Sequence, residues 1–292
     1  MKTEEINFDL AERDKPAFNP EAVKELLKLH HSVTPKPVFR QSQVQHYFKC
    51  PKMYKLSLEF GEDIEPTMAM RQGLIFERFV LGEKPDHDEE KFRKEVYGKI
   101  QAPTVEFIKA QAERAKEYFL GGNAYEKLLY EADNYIIKGE ADFVGEILFE
   151  GDAVECIADL KYTSNIQDIW NSKDIWNSKD KKTDFLQASF YPYMLYKLTG
   201  KLLPFIYVIV ENTFTDPLIK QIKVDITDME YSFNWLEKNL DTIVNDIWFE
   251  PRANENNCVG YKGMGKCRFL EFCSDGRELI TSPVELEFER LA

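Results

Sequence analysis

The spacing of apolar and polar residues changes period along the chain. From Ser42, the positions of Val44, Tyr47 and Phe48 predict a helix with Ser42 as its N-cap. A second helix is expected over 68–80. A third, long and charged, is expected over about 104–120, ended by Gly121-Gly122-Asn123 and followed by a short helix. The period then falls to two. YIIKGEADFVGEILF at 135–149 and VECIADLKY at 154–162 read as strands, joined by a turn at Glu150-Gly151-Asp152-Ala153. A helix over 185–198, a buried strand over 205–213 and a helix near 228–247 follow. This order predicts an α/β domain built on a small mixed central sheet flanked by helices. The domain is expected over 38–275, with a polar N-terminal extension at 1–37 and a tail at 276–292. Within the extension, a helix is expected to start near Asn19-Pro20.

The hairpin is the most informative stretch. In 154–162 the apolar or small positions Val154, Cys156, Ala158 and Leu160 alternate with Glu155, Asp159 and Lys161. In 135–149, Tyr135, Ile137, Ala141, Phe143, Ile147 and Phe149 alternate with Lys138, Glu140, Asp142 and Glu146. A turn centred on Gly151-Asp152 would set Asp142 opposite Lys161 and Val144 opposite Asp159. The charges would then lie on one face and the apolar residues on the other. Asp142 and Asp159 would be diagonal neighbours, their Cα atoms roughly 7–8 Å apart. Two carboxylates so placed suit a hard divalent cation. An ammonium beside them, Lys161, suits a water nucleophile or a phosphoryl transition state. A solvated strand face with a simple Asp–Lys ion pair is the bland alternative.

Composition adjusts this picture without replacing it. A formal charge of −13 over 292 residues opposes long-range attraction of nucleic acid, so any contact with phosphate needs a local basic groove or bound cations. No apolar run is long enough to span a bilayer, and the N-terminus lacks the pattern of a secretory signal, which predicts a cytoplasmic protein with no membrane partner. DIWNSK at 168–173 repeats at 174–179. It reads either as a duplication in a tolerant surface loop or as a pair, Trp170 and Trp176, that stacks on bases. Of five cysteines, Cys258, Cys267 and Cys273 fall within sixteen residues. Cys156, on the apolar side of its strand, reads as a buried small hydrophobe.

GEADFVGE followed by IADLKYTS resembles the RecB-like branch of the PD-(D/E)XK nucleases, with Asp142, Asp159 and Lys161 at the matching positions. Three further motifs occur in the family's order. SQVQHYFKCPKMY at 42–54 is similar to its N-terminal helix ending in Cys-Pro. GLIFE at 73–77 is similar to the helix whose last residue contacts the metal, with Glu77 where His is common. Gln187 and Tyr191 match its Gln-x-x-x-Tyr helix, here with Pro192 expected to kink it.

The resemblance implies a restriction-endonuclease-like core and a metal-dependent DNA nuclease, an exonuclease of recombination, repair or processing. It implies Mg²⁺ or Mn²⁺ held by Glu77, Asp142, Asp159 and the carbonyl of Leu160, with Lys161 positioning water and Gln187 and Tyr191 in support. It also implies a [4Fe–4S] cluster on Cys50, Cys258, Cys267 and Cys273. Structural zinc, or free buried thiols, are the alternatives. Lys52, Lys55 and Arg71 are candidate phosphate contacts, or plain helix-surface charge. DNA is the expected partner, with a recombination or replication protein as a further one. The competing function is a non-catalytic DNA-binding or assembly module that keeps the fold.

Overall fold

A computed structural model describes residues 36–60, 66–164, 182–213, 216–224, 226–246, 249–251, 258, 267 and 269–273, apart from the side chains of 60, 182–185, 226–231 and 271. The helix expected near Asn19-Pro20, the DIWNSK repeat and the tail at 276–292 lie outside these residues. A compact unit begins at Val38.

Strand β1 (Val38–Phe39) leads into helices α1 (Gln41–Lys49) and α2 (Pro51–Phe60). Helix α1 is capped by Arg40, whose amide donates to Gln43 Oε1 at 3.0 Å, so the N-cap lies two residues before the expected Ser42. The Cys-Pro pair is a junction between helices. Cys50 is extended, as the residue before a proline prefers, and Pro51 opens the next helix at no hydrogen-bonding cost. Helix α3 (Met68–Leu81) starts on Thr67, whose hydroxyl accepts from the Met70 amide. Helices α4 (Glu89–Glu95) and α5 (Ala102–Lys116) follow.

After α5 the expected short helix gives way to β2 (Phe119–Glu131). Gly121-Gly122-Asn123 sits within this strand instead of closing a helix. The reason is close approach: a Cβ on Gly122 would lie 2.5 Å from Val144 O, and one on Gly145 2.3 Å from Gly121 O. Two glycine-bearing strands meet where no side chain fits.

β2 runs antiparallel to β3 (Ile136–Phe149), which pairs antiparallel with β4 (Asp152–Thr163). The hairpin turn is Glu150-Gly151 alone, with φ of 52° and 94° as a tight primed turn requires. The register therefore differs by two residues from the expected one. Phe143 faces Ala158 and Val144 faces Ile157, not Asp159. Helix α6 (Lys182–Thr199) crosses to β5 (Phe205–Glu211), parallel to β4, and β6 (Ile219–Val224) and α7 (Ile226–Asn245) follow. The helix of α6 continues through Pro192. The sheet order is β1-β3-β4-β5-β6, with β2 on the other edge of β3.

Helices cover both faces, and this corrects the expected division into one charged and one apolar side. Residues 205–210 of β5 are all buried, as a central strand requires. One core joins α1, α2, α6 and α7 to Ile157, Phe205 and Tyr207. The other joins α3, α4 and α5 to Cys156, Ala158, Leu160, Ile206 and Val208. The result is the expected α/β class: seven helices among the described residues around a six-stranded mixed sheet, a restriction-endonuclease-like core. No helix among the described residues is long and apolar enough to cross a membrane.

Gly145→Ala should lower stability by about 1–3 kcal/mol, because its methyl meets backbone that has little room to move. An unchanged urea midpoint in the variant would show that β2 does not approach β3 this closely.

Candidate active site

β4 keeps β3 as a partner only as far as Ala158, while it follows β5 to Thr163. Beyond Ala158 the two strands fork. The Leu160 amide then has no β3 carbonyl to bond, and Asp142 Oδ2 accepts from it at 2.9 Å. The side chain of Asp142 thus bridges the fork that its own strand opens.

The alternation along β3 changes face at this residue. Ile137 and Ala141 belong to the core under α6, and Phe143 and Ile147 to the core under α3 and α5. β2 is irregular at the same level: Ala124 pairs with Phe143 and Glu126 with Ala141, while Tyr125 between them has a left-handed φ of 56°. The expected single apolar face of β3 is therefore divided between two cores.

Asp159 shares the face of Ile157 and lies under α6. It is 3% exposed and accepts from Gln187 Nε2 at 2.6 Å. Lys161 Nζ stands 2.5 Å from Asp159 Oδ2, with its side chain about one-third exposed. Gln187 and Tyr191 sit one turn apart on α6, and Gln187 also hydrogen-bonds the Tyr191 hydroxyl. The Tyr191 ring packs over Gly139, where a Cβ would come within 2.8 Å of it.

Glu77 reaches the fork from α3. Ile75, Phe76 and Val80 bury one side of that helix, and Phe76 stacks on Tyr162 with ring centroids 4.4 Å apart. This anchor sets Glu77 level with the forked end of β4. Burial and then the charge of Asp142 push the Glu77 carboxyl up to about 7, against Lys84, which pulls it down. The Asp142 carboxyl is also raised, by burial above all, with Lys161 and the Leu160 amide opposing. Burial raises the Tyr191 hydroxyl, with the charges of Asp159 and Asp142 adding to it. Lys84 lies among these groups and is ion-paired with Glu140.

The six side chains expected to form the site, Glu77, Asp142, Asp159, Lys161, Gln187 and Tyr191, are thus gathered at one fork. Leu160 contributes its amide there. Sequence reasoning passed over Lys84, which follows a helix end in EKPD and carries no motif. As placed, no three His, Cys, Asp or Glu side chains among the described residues stand close enough to hold a metal ion. Asp159 is engaged by Lys161 and Gln187 instead. The chemistry of the donor set nonetheless fits a divalent cation. Three carboxylates share one partly buried space, and Glu77 and Asp142 are each raised by burial that a cation would offset.

Of the expected phosphate contacts, Lys52 and Lys55 are half-buried on α2. Arg71 is buried at 8% exposure and donates to the carbonyls of Pro66 at 2.6 Å and Glu95 at 3.3 Å. Its guanidinium ties down the segment before α3 and is not offered to a ligand.

Four of the cysteines lie in one region, although as placed no three of them stand close enough to hold a metal ion. Cys50, Cys258 and Cys273 are buried, and all three neighbour Cys267 closely enough to raise its thiol, whose largest shift comes from burial. The Cys267 amide donates to Cys258 O at 2.9 Å, and Leu56 and Phe269 pack beside Cys273. Cys156 is fully buried in the other core, where burial pushes its thiol up to about 12.

No protein-family model matches the chain, and no curated protein matches it. Among solved structures, a candidate exonuclease from Eubacterium rectale is similar, with a TM-score of 0.54 at 15% identity over 86% of this chain and 90% of that one. A likeness at that identity speaks for the fold alone. The structure of SSO0001 has a TM-score of 0.34 at 13% identity over 90% of this chain and 94% of that one.

Because Glu77 is raised from 4.5 in the unfolded chain to about 7 in the folded one, its contribution to stability is full below pH 4.5 and lost as pH rises through 7. In chelator, Glu77→Gln should therefore raise the melting temperature more at pH 8 than at pH 5. An equal shift at both values would show that Glu77 ionises freely.

Proposed function

We propose that this protein is a divalent-metal-dependent deoxyribonuclease of the PD-(D/E)XK type, an exonuclease acting in DNA recombination, repair or processing. The observation that carries the reading is the convergence of Asp142, Asp159 and Lys161 at the fork of β3 and β4, with Gln187 holding Asp159. A structural ion pair needs only Asp159 and Lys161. It gives no reason for a third and a fourth acidic or amide group at the same point. The likeness in fold to a candidate exonuclease agrees with the reading.

In this reading Mg²⁺ or Mn²⁺ would be held by Glu77, Asp142 and Asp159 with the Leu160 carbonyl, and would supply Lewis-acid polarisation of a phosphate oxygen and a more acidic water. The protein's own groups do the positioning. The Leu160 amide fixes one oxygen of Asp142. Gln187 fixes Asp159 Oδ1 in the same way. The Lys161 ammonium donates hydrogen bonds, so it can hold a water lone pair in line with phosphorus and balance charge that builds on the phosphoryl oxygens. Tyr191 stays protonated at neutral pH and keeps its hydroxyl as a donor or acceptor towards Gln187.

The same reading assigns Cys50, Cys258, Cys267 and Cys273 to a [4Fe–4S] cluster that fastens the α1–α2 junction to the C-terminal segment. What supports it is that three buried free thiols lie near enough to Cys267 to raise it. Structural zinc is the competing occupant.

With end-labelled linear DNA and Mn²⁺, the wild type should shorten the strand. Chelator, Asp159→Ala or Lys161→Ala should each slow this by at least about 100-fold, a loss of roughly 2.7 kcal/mol of transition-state stabilisation. Equal degradation in all lanes would remove the nuclease reading. No degradation in any lane would favour a binding or assembly module. Protein purified without oxygen should be brown and carry about four irons per chain. Cys267→Ser should lose the colour and melt earlier, whereas colourless wild type with stoichiometric zinc would overturn the cluster.

A further inference from the structure

The backbone of β2 leaves the strand conformation at Tyr125, whose φ of 56° lies in the left-handed region that a residue with a Cβ adopts only at a cost. The departure is level with Asp142, since Ala124 pairs with Phe143 and Glu126 with Ala141. It also breaks the period of two: Tyr125 and Leu128, three positions apart, are both buried. Strain of this kind persists where surrounding contacts hold it, and those contacts lie at the C-terminal end of α3. The Tyr125 hydroxyl donates to the carbonyl of Gly82, the residue that closes the helix, at 3.1 Å. The Arg78 guanidinium and the Lys84 ammonium each stand 5.4 Å from the centre of the ring, within cation–π range. Arg78 is fixed from its other side by α4, where it lies 4.7 Å from the Phe92 ring and pairs with Glu89 at 3.1 Å. One ring and one guanidinium thus interlock β2, α3 and α4.

This junction carries one wall of the candidate site. Glu77 directly precedes Arg78 on α3, and Lys84, two residues after Gly82, pairs with Glu140 on β3. Burial raises the Tyr125 hydroxyl, and the charges of Glu77 and Asp142 add to it, so the side chain stands near both acids. The Phe76–Tyr162 stack ties α3 to β4, the strand of Asp159. Tyr125 ties the same helix to β2, the strand that runs beside Asp142. The two ties bracket Glu77. A ring that served only to fill the core would need neither a left-handed backbone nor a hydroxyl bonded to a helix end.

We propose that Tyr125 is a positioning residue for the divalent-ion site: it holds the end of α3 so that Glu77 is set against Asp142, with Arg78 as its partner on the helix. The proposal rests on the nuclease reading only in taking Glu77 and Asp142 as ligands of the ion. A residue that orients metal ligands from outside acts on the affinity of the site, and its loss costs about 10–100-fold in metal binding.

The test is Mn²⁺ binding by the full chain without DNA, read from the electron paramagnetic resonance signal of free Mn²⁺, with the melting temperature measured beside it. Tyr125→Phe keeps the ring and loses the bond to Gly82, and should weaken binding about threefold, the worth of one hydrogen bond. Tyr125→Leu also removes the ring beneath both cations, and should weaken binding at least about tenfold. Leu240→Ala, in the core under α7 on the face of the sheet opposite α3, should lower the melting temperature and leave Mn²⁺ affinity unchanged. Wild-type affinity in Tyr125→Phe, or an equal loss in Leu240→Ala, overturns the proposal, and so does a wild type that binds no Mn²⁺. Should Tyr125→Leu not fold, Tyr125→Phe decides alone. Cleavage of DNA is scored separately. A wild type that cleaves, with unaltered Mn²⁺ binding in the Tyr125 variants, removes the positioning role and keeps the nuclease. Binding weakened as expected, with no cleavage by the wild type, keeps the role and removes the nuclease.

Discussion

The bond from the Leu160 amide to Asp142 is the constraint on which the site depends. A sheet normally satisfies its amides strand to strand, and a fork leaves some of them exposed to a dry interior. Here a carboxylate replaces the missing carbonyl at 2.9 Å. The replacement has two consequences. It permits β4 to leave β3 and follow β5, which aims Asp159 and Lys161 at α6. It also holds a partly buried acid in place through one oxygen. Fold and candidate chemistry share a single hydrogen bond.

Around that bond the acids differ in how they are matched: Asp159 is held by Lys161 and Gln187, while Glu77 and Asp142 are dominated by burial. Glu77 and Asp142 are both raised by burial, and each is opposed by a lysine, Lys84 in one case and Lys161 in the other. A site evolved only for stability would pair these groups tightly or replace them with apolar ones, since buried ion pairs seldom repay their desolvation. The side chains are instead held from outside: Glu77 by the Phe76–Tyr162 stack, Asp159 by Gln187, Gln187 by Tyr191. Such supports fix the side chains whatever occupies the space between them.

The sequence made the β4 alternation legible because its apolar positions, Cys156, Ala158 and Leu160, all face one core. β3 was harder to read, since its face changes at Asp142 and both faces are covered, so apolar residues mark burial without marking a side. The two-residue slip in register came from reading Gly151-Asp152 as the turn. Glu150 adopts a positive φ that its side chain does not advertise. Over the paired residues 143–149 and 152–158 the parity holds, because a shift of two keeps each of them on its face. β2 was read as a helix end because glycine pairs are helix stops, while the close approach that requires them depends on residues more than twenty positions away. Arg71 is the same kind of miss. Its pattern on a helix surface says charge, and only the tertiary fold supplies the carbonyls of Pro66 and Glu95 that bury it.

A net charge of −13 opposes the long-range attraction of polyanions, but distance limits how far that opposition reaches. Surface charges more than about 10 Å apart are screened at ordinary ionic strength, so what a phosphate meets is the nearest wall and not the sum. At the fork that wall holds Lys84 and Lys161, paired with Glu140 and Asp159, beside Glu77 and Asp142. The acidic remainder of the chain opposes polyanions at long range without cancelling that local charge. A chain with the opposite overall sign would attract phosphate over its whole surface, whereas here any attraction is confined to the neighbourhood of these lysines.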